Sequence, residues 1–214
     1  MIGDFQAMYS RLPAFIIGFH GCDESVANRV VRGKEILRAS RNEYDWLGHG
    51  IYFWENSYSR ALDHAVSIMS RPERGRMAIT KPAVLGAVID LGYCLNLMDS
   101  EFLSYLRTSY ESLKVYAEQA GQNLPVNSEA PGSGNDLLLR RLDCAVIEFL
   151  CKQRDATQGK REFDSVRGLF FEGEDLYPNA GFKAKNHIQI CVRNSNCIKG
   201  YFLPRSPDQN LRIP

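Results

Sequence analysis

The segment that most constrains the fold is Tyr44-Asp45-Trp46-Leu47-Gly48-His49-Gly50-Ile51-Tyr52-Phe53-Trp54-Glu55. Ile51 to Trp54 reads as a strand, with Tyr52 and Trp54 on one face and Ile51 and Phe53 on the other. Gly48 and Gly50 bury no side chain and lose conformational entropy, so they belong where the backbone turns with positive φ or approaches a ligand closely. Upstream, Ala14-Phe15-Ile16-Ile17-Gly18-Phe19-His20 is a near-continuous apolar run ending in a polar residue, the pattern of a buried strand whose end faces a cleft. Together Phe19-His20-Gly21 and Gly48-x-Gly50-Ile51-Tyr52 predict a pocket for a flat heterocycle. The plainer alternative is a hairpin edge whose aromatics fill the core.

The remaining elements follow from period and punctuation. Asp23 is placed to cap a helix in which Val26, Val30 and Val31 recur at helical spacing and which Gly33 stops. A short connection from Ile36 to Asn42 leads to the glycine-aromatic strand, and a helix from Tyr58 to about Met69 follows, ended by Arg71-Pro72. Val84 to Leu91 is a further buried strand. Ser100 with Glu101, then Phe102, Leu103, Leu106, Tyr110, Leu113 and Tyr116, predict an amphipathic helix. Gly121 to Asn135 reads as a flexible loop, Leu137 to Cys151 as a helix and Lys152 to Glu162 as a second loop. Strands at Gly168–Glu172, His187–Val192 and Cys197–Phe202 close the chain. This order, alternating first and strands only at the end, predicts an α+β fold in one domain over 1–214, with a helical insertion at about 99–162 that contains the loop at 121–135.

Charge and cysteine usage exclude several classes. The 26 Lys+Arg nearly balance the 25 Asp+Glu, so no global field recruits nucleic acid or an anionic membrane. Cys22, Cys94, Cys144, Cys151, Cys191 and Cys197 form no CxxC pair and no zinc-ligand spacing, and each sits in an apolar segment. They are expected to be buried, reduced thiols, with no metal bound. With no basic start before an apolar run at the N-terminus and no run of the ~20 residues a membrane helix needs, a cytoplasmic protein is expected. The glycines match neither a dinucleotide fingerprint nor a Walker sequence.

With Phe19-His20-Gly21 on a first strand, Gly48-x-Gly50-Ile51-Tyr52-Phe53 on a second, Leu85-Gly86-x-Val88 on a third and a polar-fronted late strand, the chain resembles the ADP-ribosyltransferase superfamily in its diphtheria-toxin-like and poly(ADP-ribose)-polymerase-like branch. The likeness covers roughly residues 14–97 and 165–203. It implies two packed, mainly antiparallel sheets forming an NAD cleft with flanking helices. It also implies cleavage of the bond between nicotinamide and ribose through an oxocarbenium-like transition state. By resemblance, His20 would hydrogen-bond a ribose hydroxyl of the adenosine half of NAD, the backbone of Gly21 would clasp the nicotinamide amide, and Tyr52 would stack on its ring. Tyr44 or Phe53 would add aromatic contact, and Arg38, Ser40 and Asn42 would meet ribose or pyrophosphate oxygens.

At the third family position, usually a Glu opening the late strand, this chain reads Asn186-His187-Ile188-Gln189-Ile190. Gln189 is the first choice there and His187 the second, with Glu172 and Glu174 in the preceding loop as other sources of a carboxylate. An amide cannot act as a general base at neutral pH. His49 and His64 are taken as structural. The function implied is an NAD-dependent transferase that moves ADP-ribose to a protein or nucleic-acid acceptor with release of nicotinamide. By resemblance to bacterial relatives, it is a toxin of a toxin–antitoxin or phage-defence system, with a neutralising protein partner. An NAD glycohydrolase and an inactive NAD- or ADP-ribose-binding module are the alternatives.

Overall fold

The computed structural model describes residues 15–70, 78–130, 136–159 and 161–206. In chain order the elements are β1 (Ile16–Asp23), α1 (Glu24–Val31), β2 (Ile51–Glu55), α2 (Tyr58–Ser70), β3 (Pro82–Ile89), β4 (Cys94–Asn96), α3 (Ser100–Gln119), β5 (Asn127–Ser128), β6 (Leu139–Arg140), α4 (Arg141–Asp155), β7 (Ser165–Phe170), β8 (His187–Val192) and β9 (Ile198–Phe202). The fold is α+β: a seven-stranded sheet in the order β4-β7-β8-β2-β1-β3-β9, antiparallel except for β4 with β7, plus a two-stranded β5–β6 ribbon.

The family resemblance implies two packed sheets; among the described residues the strands other than the β5–β6 ribbon form one continuous sheet. Its halves nevertheless meet narrowly. β1 pairs with β3 along its whole length, and β2 with β8 from Ile51 to Trp54, but β1 and β2 share only the pairs Gly18↔Glu55 and Phe19↔Trp54. Beyond Phe19 and Trp54 the ladder stops. Continuity rests on a close approach at Gly18, where a Cβ would stand 2.8 Å from that of Phe53.

Alternation along the strands divides the core. One face carries Ile51, Phe53, Leu85, Ile89, Ile190 and Val192 under α1, whose Ala27 and Val30 join that cluster. The other carries Trp54 and Val84 under Ala61 of α2, and Val166 and Cys191 against Leu47 and Ile147 of α4. Within residues 99–162, α3 lies where the periodicity puts it, whereas α4 begins at Arg141 rather than Leu137 and runs on to Asp155. Leu139 and Arg140 are drawn into the β6 ribbon instead. Residues 131–135 of the expected loop, and the Arg71-Pro72 stop, lie outside the described residues. The late strand expected at Gly168–Glu172 is set at Ser165–Phe170, in register with β8. All six cysteines are free and buried. No helix among the described residues is long and apolar enough to cross a membrane.

Candidate functional site

The site begins where β1 and β2 part. The amide of Asn56 donates to the Ile17 carbonyl (2.9 Å), so by the alternation of an antiparallel ladder the backbones of Ile17, Phe19 and Gly21 face β2, and those of Tyr52 and Trp54 face β1. Gly21 would be the next ladder partner of Tyr52, but the pairing has ended. The His20 ring crosses the gap instead, its Nδ1–H donating to the Tyr52 carbonyl at 2.8 Å. A carbonyl only accepts, so the His20 proton is on Nδ1 and Nε2 carries a lone pair. Burial pushes the His20 pKa down and the Tyr52 bond pulls it up, with burial the larger effect, so the ring is neutral at pH 7. The side-chain face of Gly21 is sealed by α2: a Cβ there would lie 2.0 Å from the Ala61 carbonyl oxygen. Glycine is therefore required by packing, whatever the cleft binds.

His20 and Tyr52 do not share a face. The His20 ring lies edge-on to Phe53 with centroids 5.8 Å apart, while Tyr52 projects to the side of Trp46 and Leu47. The Tyr52 hydroxyl accepts from the Leu47 amide (2.9 Å) and donates to the Gly48 carbonyl (2.8 Å), tying down the turn that carries Gly48 at φ 78°. Gly50 has a packing reason as well, since a Cβ would press on Cys191 Sγ at 2.5 Å and the Val192 carbonyl at 2.6 Å.

The other sequence-predicted residues separate into two groups. Phe53 is wholly buried in the core. Ser40 bridges Gly50 through paired backbone bonds and its hydroxyl accepts from the Asn42 amide group at 2.8 Å, while the Asn42 backbone N–H donates to Asp45; Tyr44 sits in the same turn. These residues brace the approach to β2. Gln189 stands opposite Trp54 on the Tyr52 face, but its Oε1 accepts from the Trp46 indole at 2.6 Å.

What sequence reasoning missed is the polar cluster around His187, the second choice for the third family position, at the start of β8. Among the described residues, four buried side-chain atoms have no hydrogen-bond partner: Trp54 Nε1, Arg60 Nε, Asn186 Oδ1 and His187 Nε2. His187 is 6% exposed and Trp54 5%, with their rings 6.2 Å apart and His64 of α2 against Trp54 at 4.8 Å. Arg60 reaches Glu172 at 2.8 Å. Each unmatched buried atom is destabilising by about 1–3 kcal/mol, and native interiors leave few of them. Two signals pointed here: Trp54 alternates onto the Tyr52 face, and Arg60 and His64 lie four residues apart on one helical stripe. Nothing local joins them to Glu172, 112 residues away from Arg60.

His49 is also engaged, pairing with Glu148 at 3.4 Å beside the Arg193–Glu148 ion pair. These residues line a cavity of about 580 Å³ at the other end of β8, while a second, of about 340 Å³, lies between Trp46, Leu106, Ile147 and Phe171. Neither includes His20 or Tyr52. Among the described residues, no group of three His, Cys, Asp or Glu side chains is placed to hold a metal ion.

No protein-family model and no solved structure matches the chain. It is similar to an uncharacterized protein of the archaeon Methanocaldococcus jannaschii, 26% identical over 201 residues that span 85% of this chain and 83% of that protein.

Proposed function

We propose that the chain is an NAD-dependent ADP-ribosyltransferase that transfers ADP-ribose to a macromolecular acceptor and releases nicotinamide. One observation carries the reading: the β1–β2 ladder stops at Phe19↔Trp54, so the N–H and C=O of Gly21 are turned toward β2 without a ladder partner, beside a neutral His20 ring. A carboxamide needs one donor and one acceptor at that spacing, and an extended backbone residue offers both. His20 Nε2 then accepts from a ribose hydroxyl. The toxin setting belongs to the same proposal: the 172–185 loop exposes Leu176, Tyr177 and Phe182, a surface for a target or a neutralising partner.

A second reading is favoured by one specific feature. β8 carries no carboxylate, and its Gln189 amide is occupied by Trp46, which suits a module that binds NAD or ADP-ribose without turning it over.

Incubating the purified chain with NAD and quantifying free nicotinamide separates the two. The transferase releases nicotinamide, and His20→Ala slows release by about 10- to 100-fold, the effect of one lost ligand hydrogen bond. NAD binding without release supports the module; neither binding nor release removes both.

A further inference from the structure

Surface charge on this molecule is unevenly partnered. Arg29–Glu35 (2.6 Å), Lys81–Glu24 (2.8 Å) and Lys183–Asp175 (2.7 Å) each join an accessible cation to a carboxylate. Arg32, Lys34, Arg38 and Arg41 have no such match. All four are exposed along the ten residues that lead from the end of α1 toward β2, and among the described residues no carboxylate pairs with any of them. Glu35, the acid inside this strip, is taken up by Arg29. Four uncompensated like charges repel one another, and a polyanion with a regular repeat of charge relieves that repulsion.

The position of the strip ties it to the proposed reaction. Leu37, at its middle, is buried in the cluster that holds Ile51 and Phe53, and the His20 ring meets Phe53 on that same face of the sheet. Ser40, near its end, exchanges both backbone hydrogen bonds with Gly50 (2.7 and 3.1 Å), two residues before Tyr52. Beyond Arg41 the sign of the charge turns. Glu43 follows in the chain, and Asp155 and Glu162 share with Arg41 the lining of the cavity of about 580 Å³. A row of phosphates held on the strip therefore ends near Arg41 instead of running on.

Resting on the transferase reading above, we infer that the acceptor is the terminal phosphate of a single-stranded nucleic acid held along residues 32–41. In the step, an oxygen of that phosphate forms a bond to C1′ of the ribose as the bond from C1′ to the nicotinamide nitrogen breaks. The bonding pair leaves with nicotinamide and neutralises its ring, and the strand end becomes a phosphate diester. No proton moves, because a phosphate monoester, with its second pKa at about 6, is already ionised at pH 7. This fits a late strand that carries no carboxylate and whose Gln189 oxygen is engaged by Trp46, since an ionised acceptor needs no base. A hydroxyl of a protein or a sugar would need one. One narrow strip also matches one backbone, which favours a single strand over a duplex.

The test uses an oligonucleotide of one sequence, as RNA and as DNA, carrying a 5′-phosphate, a 3′-phosphate or hydroxyl ends only. Wild type is compared with the triple variant Arg32→Gln/Lys34→Gln/Arg41→Gln, in which Arg38 stays because the resemblance gives it to NAD. In fluorescence anisotropy, wild type is expected to lose about 50-fold in affinity for the strand between 50 and 200 mM salt, the behaviour of about four phosphate contacts, and the triple variant about threefold. Its NAD affinity should be kept. With adenylate-labelled NAD and a mixture of the strands and cell protein, label is expected on phosphate-ended strands alone, with the labelled end resistant to phosphatase, and transfer by the triple variant is expected to fall about 10-fold or more at 150 mM salt. Equal labelling of hydroxyl-ended strands, label in protein alone, or an unchanged salt dependence in the folded triple variant overturns this inference and leaves the transferase reading standing. A wild type that binds no NAD and releases no nicotinamide, with or without strands, removes both.

Discussion

Two buried polar clusters sit on the central strands, and they differ in whether their atoms are matched. At the end of β1, Asp23 is 8% exposed and its carboxylate accepts from Ser25 N (2.9 Å), Ser25 Oγ (2.6 Å), Thr80 N (2.8 Å), Thr80 Oγ1 (2.9 Å) and Lys81 N (3.0 Å). At the start of β8, His187, Trp54, Arg60 and Asn186 bring two donors and two acceptors that no protein atom meets. The first is a joint: it caps α1 and fixes the entry to β3. The second has the form of a place kept for something else, because an interior built for stability alone pairs or removes such atoms.

The sharpest way to break this contrast is to delete each cluster. Asp23→Ala strands three backbone donors and removes a helix cap, and is expected to lower unfolding free energy by about 3 kcal/mol in denaturant titration. Its pH dependence follows. The Ser25 hydroxyl, then the Lys81 and Thr80 amides, hold the Asp23 carboxyl well below the usual carboxylate range. The folded state therefore binds this proton later than the unfolded chain. Its contribution is complete above about pH 4 and lost as pH falls further. The two buried histidines act earlier. With folded pKa values lowered by burial, His20 and His187 cause stability to decline from about pH 6.5 downward, since only the unfolded chain takes up those protons readily. Wild type should lose stability in two windows, and Asp23→Ala should shrink the lower one, which Glu148 and Asp164, also held below the usual carboxylate range, keep open.

Tyr52→Phe comes next. It removes the phenol that joins Leu47 to Gly48 and is expected to lower stability by about 1–2 kcal/mol, less than Asp23→Ala because two partners rather than five are affected. The aromatic platform remains, so nicotinamide release by the folded variant should stay within a few-fold of wild type. A much larger loss in a variant that is folded would give the hydroxyl a role in the chemistry. Tyr52→Ala is a poor probe of catalysis for this structural reason.

The smallest stability effect is expected in the unmatched shell. Trp54→Phe removes roughly 40 Å³, worth about 1 kcal/mol of lost packing, but also removes an unpaired indole donor that is destabilising by about 1–3 kcal/mol. The two nearly cancel, so the melting temperature should barely move. A drop as large as that of Asp23→Ala would mean that Trp54 Nε1 is matched by an ordered water, and that the shell is a joint like the other.

Legibility in the sequence followed the range of the interaction. Apolar runs gave β1, β2, β3 and β8, and a carboxylate before a periodic segment gave the Asp23 cap, because these depend on neighbours in the chain. Gly48 turns with positive φ, as its sequence context leads one to expect, and Gly50 is closely approached. The close approach is by β8, not by a ligand. That β1 and β2 part after two pairs could not be read, since register depends on what packs on both faces. Nor could the Trp46–Gln189 bond, which spans 143 residues and engages the Gln189 amide oxygen. Tyr52 and His20, adjacent in the expected pocket, are split between faces because partners in a ladder share a face and neighbours along a strand do not.

The central claim is that the parting of β1 from β2 receives the carboxamide of NAD. Titrating isotopically labelled protein with NAD while following backbone amides tests it directly. The account predicts saturable shifts at Gly21 and Tyr52, with Thr80 and Lys81 at the Asp23 joint unmoved. Saturation confined to His49, Gly50 and Arg193, around the cavity at the other end of β8, with Gly21 unaffected, would contradict it.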